Sequence, residues 1–172
     1  MSEFFTEFLA LLTPGRSVLD LGAGSGRQAL AMAERGCRVW AVDRQAGNVA
    51  HDRIVWQAAR IEEWLQKPAE VAFDAVLMGN VIQFFPREWV AATLVPELVK
   101  RTAERAVVGV RTFFQPPEPK FDRELTYWSA SELVALFPNW ECVYQNQESK
   151  ASPDMKGMNR LFHTSSIIIR KL

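Results

Sequence analysis

Short apolar runs alternate along this chain with stretches whose apolar residues recur at helical spacing. The short runs predict strands at residues 18–21, 38–42, 54–57, 74–78, 106–110, 140–145 and 163–170. Helical spacing predicts helices at residues 3–12, 28–35, 61–66, 86–101 and 129–137. Strands that alternate with helices are typical of a doubly wound α/β fold. Because no helix separates the last two strands, we expect a Rossmann-like, seven-stranded, mostly parallel sheet with an antiparallel C-terminal strand, in a single domain over residues 1–172.

Two stretches follow neither pattern. Residues 112–128 contain Pro116, Pro117 and Pro119, which exclude a helix, together with five aromatic residues. The stretch is too aromatic for a bare linker, so we interpret it as a lid over a ligand pocket, with a structural flap as the alternative. Residues 146–162 are polar, and we expect a long flexible connection there.

Three glycines follow the first predicted strand, in the stretch SVLDLGAGSG at residues 17–26. A strand, a glycine-rich turn and a helix in this order are typical of a nucleotide-binding loop, in which the backbone approaches the ligand closely. The dinucleotide pattern G-x-G-x-x-G fails from Gly22, because Arg27 takes the last position, and passes in relaxed form from Gly24 to Ala29. The alternative is a tight turn that binds no ligand.

Two acidic residues narrow the choice of ligand. Asp20 lies at the end of the first strand, where its carboxylate would repel a pyrophosphate and suits a cation. S-adenosylmethionine (SAM) carries an ammonium and a sulfonium and no phosphate. Asp43 ends the second strand, about 20 residues past the glycines, which fits a contact to the ribose hydroxyls of NAD or SAM. The alternative role for Asp43 is a helix N-cap.

Composition limits the remaining possibilities. Lys plus Arg and Asp plus Glu number 20 each, so the net charge is zero and we expect no nucleic-acid partner. The two cysteines are far apart in sequence, so we expect neither a disulfide framework nor a metal site. Glu3 and Glu7 stand where a signal peptide is basic, and no apolar run is long enough to span a membrane. These features favour a cytoplasmic protein without a membrane partner.

The sequence VLDLGAGSGRQALAMAERGCRVWAVD, residues 18–43, resembles the first two motifs of the class I SAM-dependent methyltransferases. Residues 79–85, GNVIQFF, resemble the segment of that family that passes beside the sulfonium. Arg60 stands where the family commonly has an acid for the adenine, and the backbone N–H of Ile61 is the remaining donor there. The resemblance implies SAM as the cofactor, bound by Asp20, Gly22, Ala23, Gly24, Gly26, Arg27, Asp43, Arg44, Arg60, Ile61, Asn80 and Val81.

The resemblance also implies an activity. The chain contains no Asn-Pro-Pro-Tyr-like stretch and no Pro-Cys nucleophile, which points away from common DNA methylation. Its C-terminal segments are similar to those of small tellurite-resistance-like and thiol methyltransferases. We therefore expect methyl transfer from SAM to a small-molecule acceptor.

Three residues are candidates for the acceptor side of that reaction. In this fold the final hairpin returns beside the strand ends, so we expect Arg160 and His163 to face the pocket mouth together with Asn80. His163 is suited to accept a proton and Arg160 to hold an oxyanion. Two alternative functions stay open, a SAM-binding protein without turnover and a nicotinamide-dependent oxidoreductase. The sequence indicates neither the acceptor nor the oligomeric state.

Overall fold

A single sheet forms the centre of the protein in a computed structural model that describes residues 2–154 and 156–172. Its strands are β1 Ser17–Leu21, β2 Arg38–Asp43, β3 Ile54–Ala58, β4 Phe73–Gly79, β5 Thr102–Phe113, β6 Trp140–Pro153 and β7 Asn159–Lys171. They follow the order β3-β2-β1-β4-β5-β7-β6. Neighbours are parallel except that β7 runs antiparallel to both β5 and β6. The predicted fold class is confirmed.

Helices cover both faces of the sheet. They are α1 Glu3–Ala10, α2 Arg27–Glu34, α3 Ile61–Trp64, α4 Arg87–Trp89, α5 Val95–Lys100 and α6 Ala130–Ala135. A π-helical turn joins α4 to α5, so the helix predicted at residues 86–101 is one continuous run. The Ser2 hydroxyl caps α1, and Ser129 forms a reciprocal capping box with Glu132 at the start of α6.

The sheet separates two apolar layers. On one face α1 and α2 pack through fully buried side chains such as Phe8 and Met32. On the other face lie α3, the α4–α5 run and α6, with Leu98 and Leu133 fully buried. Burial of each such side chain contributes about 1.5–3 kcal/mol. Alternate residues of a strand point to opposite layers, which decides the side of the sheet on which each candidate residue lies.

The expectation of a long flexible connection at residues 146–162 is wrong. β6 and β7 pair along their whole length, up to Pro153 opposite Asn159. A short turn closes this hairpin, and the Asp154 carboxylate accepts hydrogen bonds from two backbone N–H groups of the turn, at 2.8 and 3.0 Å. Paired strands therefore replace the predicted loop.

The outer part of the hairpin extends beyond the rest of the sheet. β5 ends at Phe113, which pairs with Thr164 of β7, and the next residues of β7 pair only with β6. We call residues 149–163 the hairpin arm. Most of its described residues up to Asn159 are exposed, so their polar composition reflects exposure and does not indicate an irregular backbone.

The stretch after β5, residues 114–128, packs against the hairpin arm, and we call it the lid segment. Glu118 forms an isolated bridge with Leu161 of the arm. At the other end of the segment, the N–H of Thr126 donates to the carbonyl of Gln83, at 2.9 Å. The lid segment therefore connects the hairpin arm to the chain that follows β4. That it covers an acceptor pocket stays a prediction.

Candidate cofactor site

The carboxyl ends of β1, β2 and β4 meet at one edge of the sheet. The glycine loop, residues 22–26, leaves β1 there and is bound to β2, since the N–H groups of Gly22 and Ala23 both donate to the carbonyl of Val42, at 2.8 and 3.1 Å. Gly22 has a φ of +80°, and a Cβ on it would lie 2.6 Å from Cγ2 of Val81. This contact requires glycine and fixes the loop against the segment that follows β4.

Asp43 connects the glycine loop to the segment between β3 and α3. Its carboxylate accepts a hydrogen bond from the N–H of Gly24, at 2.9 Å. Its backbone carbonyl accepts one from the N–H of Ala59, at 2.8 Å. A Cβ on Gly24 would meet none of the described atoms within 4 Å, so the loop backbone is open toward this edge. Arg60 and Ile61 follow Ala59 directly, so the residues predicted to lie beside the adenine are near Asp43, the residue predicted to bind the ribose.

Asp20 is a buried acid with an incomplete set of partners. The residue is 1% exposed, and its Oδ2 has no hydrogen-bond partner among the described residues. Burial, and to a lesser extent the charge of Asp43, raise the pKa of Asp20 to about 7, against a lowering by the backbone N–H of Ala29. A cation placed beside this carboxyl would favour its ionised form. Ionisation of Asp20 therefore depends on a positive charge nearby, and that a ligand supplies this charge stays a prediction.

Asn80 lies directly after β4 in a left-handed conformation, with a φ of 57°, which asparagine tolerates better than most residues. Its N–H donates to the carbonyl of Arg111 on β5, at 2.8 Å, and its side chain is exposed. Val81 turns inward under the glycine loop. The segment thus brings an exposed amide to the same edge of the sheet as Asp20.

The predicted cofactor-binding residues come together in three neighbouring places at this edge. One group comprises the end of β1, the glycine loop and the start of α2: Asp20, Gly22, Ala23, Gly24, Gly26 and Arg27. The second follows β2 and β3, and the third follows β4: Asp43, Arg44, Arg60 and Ile61, then Asn80 and Val81. Ile61 and Val81 are buried in the same apolar layer, whereas Arg44 and Arg60 are exposed. The ligand contact of each residue stays a prediction.

These residues fit SAM better than a dinucleotide. The unpartnered oxygen of Asp20 suits an ammonium group, and the carboxylate of Asp43 beside the open backbone of Gly24 suits a pair of ribose hydroxyls. A dinucleotide would place its pyrophosphate beside the buried carboxyl of Asp20, which is electrostatically unfavourable. The two carboxylates therefore agree with SAM, the cofactor that the sequence indicates.

His163 lies on the hairpin arm and is 7% exposed. Its Nδ1 is 2.7 Å from Oγ of Ser149, and its Nε2 is 3.9 Å from a carboxylate oxygen of Glu118. Along β7 it stands three residues, or about 10 Å, beyond Ser166, which pairs with Arg111. No hydrogen bond or ion pair joins it to Asn80 among the described residues, and its role in the reaction stays a prediction.

Arg160 lies further out on the arm and makes its contacts with the lid segment and the turn. Its Nε donates to Asp154 at 2.7 Å, and its guanidinium donates to the backbone carbonyls of Pro119 and Lys120. The guanidinium also lies 4.7 Å from the ring centre of Phe121. No hydrogen bond joins Arg160 to Asn80 among the described residues, and its contact with an oxyanion of the acceptor stays a prediction.

Two polar residues at the site were not predicted. The carboxamide of Gln28 lies against the end of β4, since a Cβ on Gly79 would be 2.8 Å from its Oε1. Arg111 ends an apolar run on β5, beside Asn80. The sequence signal for Arg111 is a lone charge inside the pattern VVGVRTF, and Gln28 is polar in the first turn of the helix that follows the glycines.

This geometry is that of a SAM-binding Rossmann-like fold, and comparisons with known proteins agree. Residues 18–102 match the family model of the methyltransferase domain. The resemblance to class I SAM-dependent methyltransferases is confirmed, and SAM is the cofactor that this class uses. No curated protein matches the sequence.

Three solved structures illustrate the match in fold. TehB from Haemophilus influenzae matches all of this chain with a TM-score of 0.78 and 16% identity, and the chain spans 63% of TehB. The 1,6-didemethyltoxoflavin-N1-methyltransferase of Burkholderia thailandensis was solved with S-adenosylhomocysteine (SAH). Its match covers 98% of this chain and 78% of that enzyme's chain, with a TM-score of 0.70 and 20% identity. The match to the N-methyltransferase NodS from Bradyrhizobium japonicum covers 98% of this chain and 94% of the NodS chain, with a TM-score of 0.71 and 17% identity. At these identities the matches show the fold.

Two further observations concern the described residues, 2–154 and 156–172. None of their helices is both long and apolar enough to cross a membrane. They contain no group of three or more His, Cys, Asp or Glu side chains placed to hold a metal ion.

Proposed function

We propose that this chain is a SAM-dependent methyltransferase that methylates a small-molecule acceptor. The observation that carries the proposal is the buried, unpartnered oxygen of Asp20 beside a glycine loop that is hydrogen-bonded to Asp43. The match of residues 18–102 to the methyltransferase domain supports it.

We further propose that the chain forms a single domain and lies in the cytoplasm. The free state of both cysteines, Cys37 and Cys142, supports a reducing compartment.

Each cofactor residue has a role in this proposal. The carboxylate of Asp20 accepts a hydrogen bond from the ammonium of the methionine moiety, and the open backbone at Gly24 admits the ligand close to the loop. The carboxylate of Asp43 accepts hydrogen bonds from the two ribose hydroxyls. The backbone N–H of Ile61 faces the adenine side, while Asn80 stands beside the methyl position.

Positioning is the main contribution that these residues make to the chemistry. When bound, SAM supplies an electrophilic methyl group on a cationic sulfur. The protein then has to orient the acceptor and exclude water, and such positioning can supply about 7–11 kcal/mol of a reaction barrier. A general base is required only for an acceptor that arrives protonated. His163 is our candidate for that base, and Arg160 for acceptor binding.

A second candidate function is SAM binding without turnover. It is favoured by the side chains of His163 and Arg160, which make their hydrogen bonds within the hairpin arm, the turn and the lid segment. The nicotinamide-dependent oxidoreductase is disfavoured, because β6 and β7 form an antiparallel hairpin where a second mononucleotide unit would require further parallel strands.

Calorimetry tests the cofactor part of the proposal. We expect SAM and SAH to bind wild-type protein, and NAD and NADP to bind at least about tenfold more weakly. Asp52→Asn is a matched control, because this carboxylate is 85% exposed in the loop after β2 and its only ion pair among the described residues is with His51. Tighter binding of either dinucleotide than of both sulfur nucleosides would refute the proposal.

A screen for SAH release tests turnover. Purified protein is incubated with SAM and a panel of small phenols, thiols, amines and carboxylic acids, and SAH is quantified. Release that depends on one acceptor class supports a methyltransferase. Tight SAM binding with no release above background across the panel would favour the protein without turnover.

A further inference from the structure

Arg111 stands beside the proposed methyl position, on the layer of the sheet that α1 and α2 cover. It pairs with Gly79, the last residue of β4, and its carbonyl accepts the hydrogen bond of Asn80. Two residues earlier, a Cβ on Gly109 would lie 2.7 Å from the Phe8 ring of α1. By alternation, the Arg111 side chain leaves the sheet on that same face, just beyond α1.

The guanidinium of Arg111 is only partly used by the protein. Its side chain is 20% exposed. Among the described residues it makes one hydrogen bond, to Oγ1 of Thr164 at 3.3 Å, and one longer contact, 3.7 Å, to a carboxylate oxygen of Glu148. A guanidinium carries five N–H donors. Arg111 thus keeps several donors for a ligand at the edge of the sheet.

The neighbouring strands place hydroxyl groups on the same face. Thr164 is buried, and the hydroxyl of Tyr144 is buried without a hydrogen-bond partner among the described residues, with Asn146 nearby. The Tyr144 ring lies 6.3 Å from the ring of Phe4 on α1, which confirms the face. A tyrosine hydroxyl is protonated at neutral pH and able to donate, and burial raises the pKa of Tyr144 further.

We infer that Arg111 binds a carboxylate of the methyl acceptor, so that the acceptors of this enzyme are small organic acids. The inference rests on the proposed methyltransferase function and names its substrate class. A planar guanidinium matches a carboxylate in two parallel hydrogen bonds. The nearby carboxylate of Glu148 disfavours a dianion, so a phosphate monoester fits this position less well than a carboxylate.

A binding experiment tests the inference without turnover. Benzoate, benzamide and inorganic phosphate are titrated into the protein saturated with SAH, and the Nε–Hε resonance of Arg111 is followed by NMR. We expect saturable binding of benzoate and weaker or no binding of the other two. Arg111→Gln should weaken benzoate binding about 10- to 100-fold, and Arg111→Lys should recover part of it.

The matched control is Arg105→Gln. Arg105 is an exposed arginine at the opposite end of β5, so its replacement removes the same charge far from the site. We expect this variant to bind benzoate as wild type does, and all variants to keep wild-type SAH affinity. Equal binding of benzoate and benzamide, preferred binding of phosphate, or unchanged benzoate binding by Arg111→Gln would overturn the inference.

Turnover provides a second measurement. Aromatic amines and thiols are assayed for SAH release as pairs that differ only in a carboxylate or a carboxamide. The acid of each pair should show the lower KM, and Arg111→Gln should raise that KM more than it lowers kcat. Loss of SAH binding by wild type would overturn the proposed function itself, whereas retained SAH binding with preference for the amides would overturn only the assignment of Arg111.

Discussion

Replacing Asp20 with Asn should stabilise the empty protein and weaken its cofactor binding. The variant keeps the size and shape of the side chain and removes its charge. In wild type this carboxyl is fully buried, its Oδ2 has no partner among the described residues, and its pKa is about 7. The folded protein therefore carries an acid that is costly to ionise until a cation arrives.

The size of the stability gain in Asp20→Asn follows from the pKa of Asp20 in the folded and unfolded states. Between pH 4 and 7 the folded protein holds a proton that the unfolded chain has released, so the free energy of unfolding falls as pH rises through this window. The difference between 3.8 and about 7 corresponds to about 4 kcal/mol. Asp20→Asn should therefore be more stable than wild type by up to about 4 kcal/mol at pH 8, with little difference at pH 4.

Binding should change in the opposite direction. Loss of one charge-assisted hydrogen bond to the ammonium costs about 1.5–3 kcal/mol, or about 10- to 100-fold in SAH affinity. In wild type the affinity should rise with pH through about 7, because the bound ammonium requires the ionised carboxylate. Asp20→Asn should lose this part of the pH dependence.

Urea unfolding at pH 4, 6 and 8 and calorimetric titration with SAH measure both effects. Asp52→Asn serves again as the control and should match wild type in both. A variant that is less stable than wild type at pH 8, or one that binds SAH as tightly as wild type, would refute the reasoning. A carboxyl resonance of Asp20 that titrates near pH 4 would refute its basis directly.

Four further substitutions have defined outcomes. Asp43→Ala should weaken SAH binding at least about 100-fold, since two charge-assisted hydrogen bonds are lost, with little change in Tm; unchanged affinity and a lower Tm would make Asp43 only a structural partner of the loop. Gly22→Ala should lower the free energy of unfolding by about 1–3 kcal/mol in urea, since its Cβ meets Val81 at a φ of +80°. His163→Ala should lower turnover and leave SAH affinity unchanged. An unchanged kcat with an accepted substrate would show that His163 has no role in the reaction. Arg160→Ala should speed proteolysis of the lid segment, and wild-type cleavage rates would show that its hydrogen bonds do not hold that segment.

The meeting of the glycine loop and Asp43 at one edge of the sheet could be predicted from the sequence, because its determinants are local. Gly24 and Asp43 are 19 residues apart, and one strand, one turn and one helix are enough to bring them together. The apolar runs of β1 and β2 are buried on both faces, so their pattern is strong. The pKa of Asp20 was not predictable in the same way, since it depends on the burial that the whole fold supplies.

The packing of the lid segment could not be predicted, because it joins distant parts of the chain. The Arg123 guanidinium lies 4.3 Å from the ring centre of Phe84 and 5.7 Å from that of Phe121, and the Arg160 guanidinium also lies over the Phe121 ring. These contacts join the chain after β4, the lid segment and the hairpin arm. Such a stack contributes about 0.5–1 kcal/mol at an exposed site and more where it is desolvated, and it requires no apolar periodicity in the sequence. Arg160 and Arg111 look alike in the sequence, and only their contacts show that Arg160 donates to the lid segment whereas Arg111 makes a single side-chain hydrogen bond among the described residues.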